Sequence, residues 1–384
     1  MRFNISENRS FDHVLGALSM DGRMQLNGLK GDEFNYLTNG TKVKVRPVTK
    51  PSYFDPGHGL QQIGYQLYGV VSTWDYNKQV AGFEESLDST FSYHTAKTMP
   101  VLQTLATDYA VIDDWYASFP GNTIPNRKFF YTANPRGSIS QSGQTSAKSI
   151  FVNMEEQSKS WSHYYDGNGE WTYSRYLQDV GCVPGFNNCP VKRPYGLKKL
   201  NQFYSDTAAG KLPQLTSIDS DGSWDMHPGK NYGGGSQQGT VEKGQEVVKK
   251  IYNALRDSPQ WNEIMFLITF DEHGGYYDHQ APPNYAVPAP DNSEVRDDKG
   301  PIGGDFRFQK LGVRVPTILI SPWVPKGQTF RSGVNGRNFE HSSLSATLNK
   351  LFKLPSLSAR DKWAMSFHDV FNYVSSPRTD RTSF

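Results

Sequence analysis

Three polar clusters in this chain bring together residue types able to bind and break a phosphate ester. The densest is Asp271-Glu272-His273-Gly274-Gly275-Tyr276-Tyr277-Asp278-His279. Two adjacent carboxylates released into a Gly-Gly turn can point to different sides of one site. Their oxygens suit a hard divalent cation, and the nearby histidine keeps zinc or iron open. The second cluster, Glu7-Asn8-Arg9-Ser10-Phe11-Asp12-His13, adds a carboxylate that can ligate a metal and an amide, Asn8, that can donate to a phosphate oxygen. Taken alone it reads more simply as a helix cap, because Ser, Asp and Asn often begin helices. The third is Phe119-Pro120-Gly121-Asn122-Thr123-Ile124-Pro125-Asn126-Arg127. At a helix N-terminus, amide donors would favour an anion beside the Thr123 hydroxyl. A metal bound to that hydroxyl would make it a nucleophile at moderate pH.

Four histidines stand in polar, loop-like surroundings: His58 in Asp55-Pro56-Gly57-His58, His227 in Asp225-Met226-His227-Pro228, His279, and His341 in Glu340-His341-Ser342-Ser343. Each can hold a phosphate oxygen, protonate a leaving alkoxide or ligate a metal. Individually each is more simply a loop histidine with a backbone partner. The weight comes from their sum with the three clusters.

Elements must carry these clusters to one place. Met99 to Thr107 reads as a short helix followed by a strand at Tyr109-Ala-Val-Ile. Glu242 to Arg256 has Val248, Ile251, Tyr252 and Leu255 on one helical stripe, ended by Ser258-Pro259. Ile264 to Phe270 is apolar on both faces, as a central parallel strand should be. Val313 to Ser321, with Pro316 inside, reads as a strand nearer an edge. Ser342 to Phe352 reads as a helix. Alternation of this kind predicts an α/β sandwich, with ligands beyond the carboxyl ends of its strands. Between about 137 and 240 the pattern dissolves into Tyr, Trp, Gly and Asn, and part of that stretch reads as an insertion over the sheet edge.

Size and charge set the bounds. At 384 residues, one large domain, or one with an insertion, is expected. A net charge of +2 gives no support to a nucleic-acid partner or to strong adhesion to anionic membranes. No apolar run approaches the roughly 18–20 residues of a membrane helix. Cys182 and Cys189, in a Gly/Pro/Asn-rich stretch, suggest a local disulfide. That pair and the Asn-X-Ser/Thr triplets at Asn4, Asn8 and Asn39 lean towards a secreted or extracytoplasmic protein, while the lack of a visible signal peptide leans away.

Taken together, ENRSFDH, DPGH with the following Gln66, PGNTIPNR, DMHP, SPQWNE before ITFDEHGGYYDH, GVRVPTILISPWVPKG and FEHSSLSATL resemble the phosphoesterase family. That family holds bacterial phospholipases C, plant non-specific phospholipases C and a group of acid phosphatases. The motifs stand in the family's order along nearly the whole chain. The resemblance implies an alkaline-phosphatase-like three-layer α/β sandwich with a mostly parallel central sheet. It implies a catalytic domain spanning 1–384, with an insertion or cap within about 137–240. A divalent metal would be held by Glu7, Asp271, Glu272 and Thr123. Thr123 would be the nucleophile, with Asn8, His58 and His227 as further catalytic residues, and Asn8, Arg127, His58, His227, His279 and His341 would meet phosphate. The expected activity is phospholipase C cleavage of a phospholipid, with transient contact at a membrane surface. A phosphomonoesterase on the same centre is the rival, and a catalytically silent binding protein is a more distant one.

Overall fold

Apolar runs too short to span more than one layer build the sheet that carries the site. The computed structural model describes residues 1–36, 40–49, 54–68, 89–139, 147–167, 196–220, 222–228, 241–283, 286–297, 304–332 and 336–384. Among them an eight-stranded sheet is formed by β1 (Arg2–Ser6), β2 (Ala110–Ile112), β3 (Trp161–Tyr165), β4 (Leu197–Lys199), β5 (Leu215–Asp219), β6 (Phe266–Phe270), β7 (Ile318–Ile320) and β8 (Gln328–Phe330). The strand order is β8-β2-β7-β6-β1-β5-β3-β4. Only β7 runs against its neighbours, so the sheet is mostly parallel. The helices used below are α1 (Phe11–Leu15), α2 (Leu60–Tyr68), α3 (Pro100–Asp108), α4 (Thr123–Thr132), α5 (Leu200–Ala208), α6 (Val241–Asp257) and α7 (Ser343–Phe352).

Side-chain alternation along β3 separates the two helical layers. His163 and Trp161 meet Phe151, in the helix Ile150–Glu156, while Tyr164 meets Phe203 in α5. Phe151 in turn touches Tyr131 of α4, and Phe3 of β1 lies 5.1 Å from Phe130. On the opposite face α5 packs on α6, which packs on α3. There α6 buries Val248, Ile251, Tyr252 and Leu255, the stripe read from sequence. The fold is therefore the three-layer α/β sandwich expected.

One sequence expectation changes. The Val313–Ser321 segment is not near an edge: its paired residues, Ile318–Ile320, lie between β2 and β6. Pro316 precedes them, so no ladder donor is lost and the segment can be internal. Parts of the 137–240 region, within which an insertion is expected, supply β3, β4 and β5 to the main sheet. Its residues 140–146, 168–195, 221 and 229–240, with Cys182 and Cys189, lie outside the described residues, as does Asn39.

Candidate active site

Register delivers the first four site residues. Ser6 pairs with Phe270 in the parallel β1/β6 ladder, so Glu7 and Asp271 leave adjacent strands side by side. Asn8 follows in the left-handed region at φ 56°, which Asn tolerates better than most residues. Its backbone N–H donates to Asp271 Oδ1 at 2.9 Å, and the Arg9 N–H donates to the Glu272 carbonyl at 3.0 Å. Gly274, at φ 66°, packs on that turn: a Cβ there would sit 2.3 Å from the Asn8 carbonyl oxygen. This close approach accounts for the glycine after the acid pair.

Thr123 opens α4, and Asn126 shapes the turn that presents it. The Asn126 amide accepts from the Phe119 N–H at 2.9 Å and donates to the carbonyls of Phe119 and Gly121. Asn122, the N-cap, makes no side-chain capping bond, which leaves the helix start open to an anion. The Thr123 hydroxyl donates to Glu7 Oε2 at 3.1 Å and lies 3.4 Å from Asn8 Oδ1. One turn on, Arg127 forms an ion pair with Glu7, donates to both Asp219 oxygens at 3.1–3.2 Å and to the Ile5 carbonyl at 3.2 Å. Its Nε is 3.9 Å from Asp271 Oδ2. Expected to meet phosphate, Arg127 stands here as the counter-ion of the carboxylates.

Two imidazoles flank Asn8. Its amide nitrogen donates to His58 Nε2 at 3.2 Å and to His227 Nε2 at 3.1 Å. In each ring Nδ1–H donates to a backbone carbonyl, Pro56 for His58 and Pro228 for His227, which fixes Nε2 towards the centre. The His58 loop is held by Gln66 of α2, which donates to the Gly57 carbonyl at 2.8 Å and accepts from His273 Nε2 at 3.1 Å. Thr123, Asn8, Asp271 and Glu272 are fully buried, and His58 and Asp55 are the partly exposed members. Among the described residues, the exposed side of the centre is therefore that of Asp55 and His58.

Negative charge dominates this interior. Burial pushes the Glu7 carboxyl well above its ordinary range; Arg127 opposes the shift and Asp271 adds to it. Burial likewise raises Glu272, reinforced by Asp271, and raises Asp225 beneath His227. Burial holds His273 down at about 3, so it brings no compensating charge near neutrality. Asp271 Oδ2 and Glu272 Oε1 are buried without a hydrogen-bond partner. Orphaned carboxylate oxygens in a crowd of acids fit a hard divalent cation, which would satisfy them and lower the cost of burying the charges. Asp55, His58 and His227 also bring one donor atom each within 4.8 Å of one another, next to Asn8.

The structure gathers Glu7, Asn8, His58, Thr123, Arg127, His227, Asp271 and Glu272, but gives the other two histidines different work. His341 accepts from Trp115 Nε1 at 3.2 Å and donates through Nε2 to the Asp271 carbonyl, so it braces the acid pair from behind. Burial lowers it to about 4, which keeps the ring neutral. His279 shares Asp12 (2.7 Å) and Asn27 (3.0 Å), in a second ionic cluster with Asp278 and Arg314. Neither ring is brought to the phosphate-side cluster. Sequence reading missed Asp219 and Asn126, which aim Arg127 and Thr123. Asn126 lay in a quoted motif, whereas Asp219 ends a strand hidden in the irregular region.

A buried acid crowd at parallel strand ends, facing a hydroxyl on the first residue of a helix, defines a phosphoester hydrolase centre. The family model described as "Phosphoesterase family" matches residues 3–355, and the chain belongs to that family. It is 36% identical over 402 residues to non-specific phospholipase C6 of Arabidopsis thaliana, covering 98% of this chain and 72% of that protein. Against non-specific phospholipase C1 of the same plant the identity is 36%, covering 98% and 71%. Non-hemolytic phospholipase C of Pseudomonas aeruginosa is 26% identical, covering 91% of this chain and 53% of that protein. Among solved structures, an alkaline phosphatase superfamily protein from Vibrio parahaemolyticus aligns over 71% of this chain and 66% of that one, at 14% identity and a TM-score of 0.40.

Proposed function

We propose that this chain is a phospholipase C, releasing diacylglycerol and a phosphorylated headgroup through a phosphothreonine intermediate, with residues 1–384 acting as one catalytic domain. The observation that carries the mechanism is the Thr123 hydroxyl at the start of α4, donating to Glu7 Oε2 beside the Asn8 amide. The names of the relatives support the lipid substrate.

Glu7, Asp271 and Glu272 would hold a divalent cation with Thr123 Oγ1 and Asn8 Oδ1 close by, and such a cation supplies positive charge that favours the alkoxide and offsets phosphate charge. Thr123 Oγ1, its proton passing to Glu7 Oε2, attacks phosphorus, forming the Oγ1–P bond as the bond to the glyceryl oxygen breaks. The open N–H groups of α4 face the charge that develops on the equatorial oxygens. A protonated imidazole, His58 or His227, gives its Nε2 proton to the departing alcohol. The same nitrogen then takes a proton from the water that attacks the phosphothreonine, and Glu7 returns its proton to the departing Oγ1, which restores the hydroxyl. Arg127 keeps Glu7 aligned throughout.

The same centre serves a phosphomonoester, so substrate decides between the readings. Purified protein is to be assayed on phosphatidylcholine vesicles and on p-nitrophenyl phosphate, before and after chelation. Chelator-sensitive diacylglycerol release, absent in Thr123→Ala, is expected. Nitrophenol release alone would move the chain to the phosphatase side, and silence on both substrates with metal bound would favour a binding protein.

A further inference from the structure

The structure assigns a second working surface, away from the acid pair: we propose that a short β-ribbon near the N-terminus docks the enzyme on a phospholipid surface. The ribbon pairs Phe34–Tyr36 antiparallel with Lys42–Lys44, in the register Phe34 to Lys44, Asn35 to Val43 and Tyr36 to Lys42. Alternation puts Phe34, Tyr36, Lys42 and Lys44 on one face. That face is open to solvent: Phe34 is 42% and Tyr36 59% exposed, and both lysines are exposed. The two rings meet edge to face at 5.4 Å, and Lys42 Nζ sits 3.5 Å from the Phe34 ring centroid. Met20, also exposed, lies against Gly31 at the base of the ribbon.

The other face explains why so short a ribbon holds its shape. Val43 is buried with Leu29, Val45 and Phe91, and Tyr277 packs on them, its ring stacked 5.0 Å from Phe91. Tyr277 belongs to the loop that starts at Asp271 and Glu272, so the ribbon is tied to the catalytic loop. Two-stranded ribbons are marginal alone and need such an anchor.

The chemistry of the outward face selects a lipid occupant. Aromatic side chains with an apolar body settle at the headgroup boundary, while lysine stems lie along them and place ammonium groups among the phosphates. Protein interfaces, by contrast, are depleted of lysine at their centres. No acid lies on either strand, and the Glu33 carboxylate just before them is turned to the Lys30 and Gly31 N–H groups. With a whole-chain charge of only +2, attraction to an anionic surface must be local. The choice of a lipid over a protein partner rests on the phospholipase reading above.

The test is cosedimentation of the full chain with vesicles of phosphatidylcholine, with and without phosphatidylserine. Phe34→Ser/Tyr36→Ser should weaken partition about tenfold or more on both vesicles. Lys42→Gln/Lys44→Gln should remove about tenfold of the gain that phosphatidylserine gives. Tyr36→Trp should bind at least as well as the unmodified chain, and thermal unfolding should be unchanged in all three. Partition of the two double variants equal to that of the unmodified chain would overturn the proposal. So would failure of the unmodified chain to bind vesicles, or self-association lost with the aromatic pair, which would give the face to a second copy. Ribbon-dependent binding without diacylglycerol release sinks the phospholipase reading and keeps the docking surface. Diacylglycerol release with binding indifferent to the ribbon does the reverse.

Discussion

The molecule contains two buried acid clusters built from the same sequence motifs, and they differ in their charge balance. In the first, one guanidinium, Arg127, serves Glu7, Asp219 and Asp271, while among the described residues Glu272 has as ion-pair partners His58 at 3.8 Å and His273 at 3.6 Å. Two of its oxygens have no hydrogen-bond partner. In the second, Asp12 and Asp278 share Arg314 and His279, and no oxygen of either acid is left over. The first is short of positive charge and the second is neutralised. A neutralised cluster ties segments together: here it joins α1 to the end of the Gly-Gly loop and to the segment at Arg314 that leads into β7. A deficient one keeps room for a cation and a substrate.

Thr123→Ala should lower turnover by about a thousandfold or more while the bound-metal content, read by elemental analysis, stays near that of the unmodified chain. Near-normal turnover would end the nucleophile assignment. Asn in place of His58 or His227 should cost on the order of a hundredfold in kcat. The same change at His279 should leave kcat within a few-fold, so an equal loss at all three would erase the distinction between the clusters.

Stability should respond the other way round. Arg314→Met strands two buried carboxylates and should cost about 3–5 kcal/mol in denaturant unfolding, with turnover of the folded fraction little changed. If it instead emptied the metal site, the two clusters would be one system. A smaller effect is expected from pH. Burial raises Asp278 to about 6, with Arg314 opposing and Asp12 reinforcing the shift. The folded state then holds this proton more tightly than the unfolded chain. The contribution is present below the ordinary aspartate pKa of 3.8 and is lost as pH rises through about 6. For His279, burial lowers the pKa but Asp12 more than offsets it, so its contribution is also lost as pH rises through its raised value. Thermal unfolding of Asp278→Asn should therefore show a shallower decline between about pH 4 and 6 than the unmodified chain. An unchanged slope would remove Asp278 as its source.

Much of the site could be read from the chain, because its chemistry sits in short contiguous motifs. Glu7-Asn8, Thr123 and Asp271-Glu272 are neighbours in type and spacing before they are neighbours in space. The apolar run at Ile264 to Phe270 and the stripe on Glu242 to Arg256 were legible for the same local reason: burial on two faces or one leaves a period in the sequence. Irregular composition hid β3, β4 and β5, whose residues Trp161–Tyr165, Leu197–Lys199 and Leu215–Asp219 include polar side chains satisfied only by distant partners. Asp219 is the clearest case, since its meaning depends on Arg127, 92 residues away. The edge position inferred for Val313 to Ser321 failed because Pro316 counts against an internal strand only if it falls within the ladder.

Which residues can do chemistry was thus determined by sequence alone, and so were the family and the helices and strands with regular periods. Tertiary structure decided which of those residues work together. It set Glu7 beside Asp271 through the Ser6–Phe270 register, paired Arg127 with the Glu7 and Asp219 carboxylates, and put His341 behind the acid pair and His279 in another cluster. The reason is physical: residue type fixes what a side chain can donate, accept or ionise, but partners from separate strands and the burial they share fix which of those capacities is left unused.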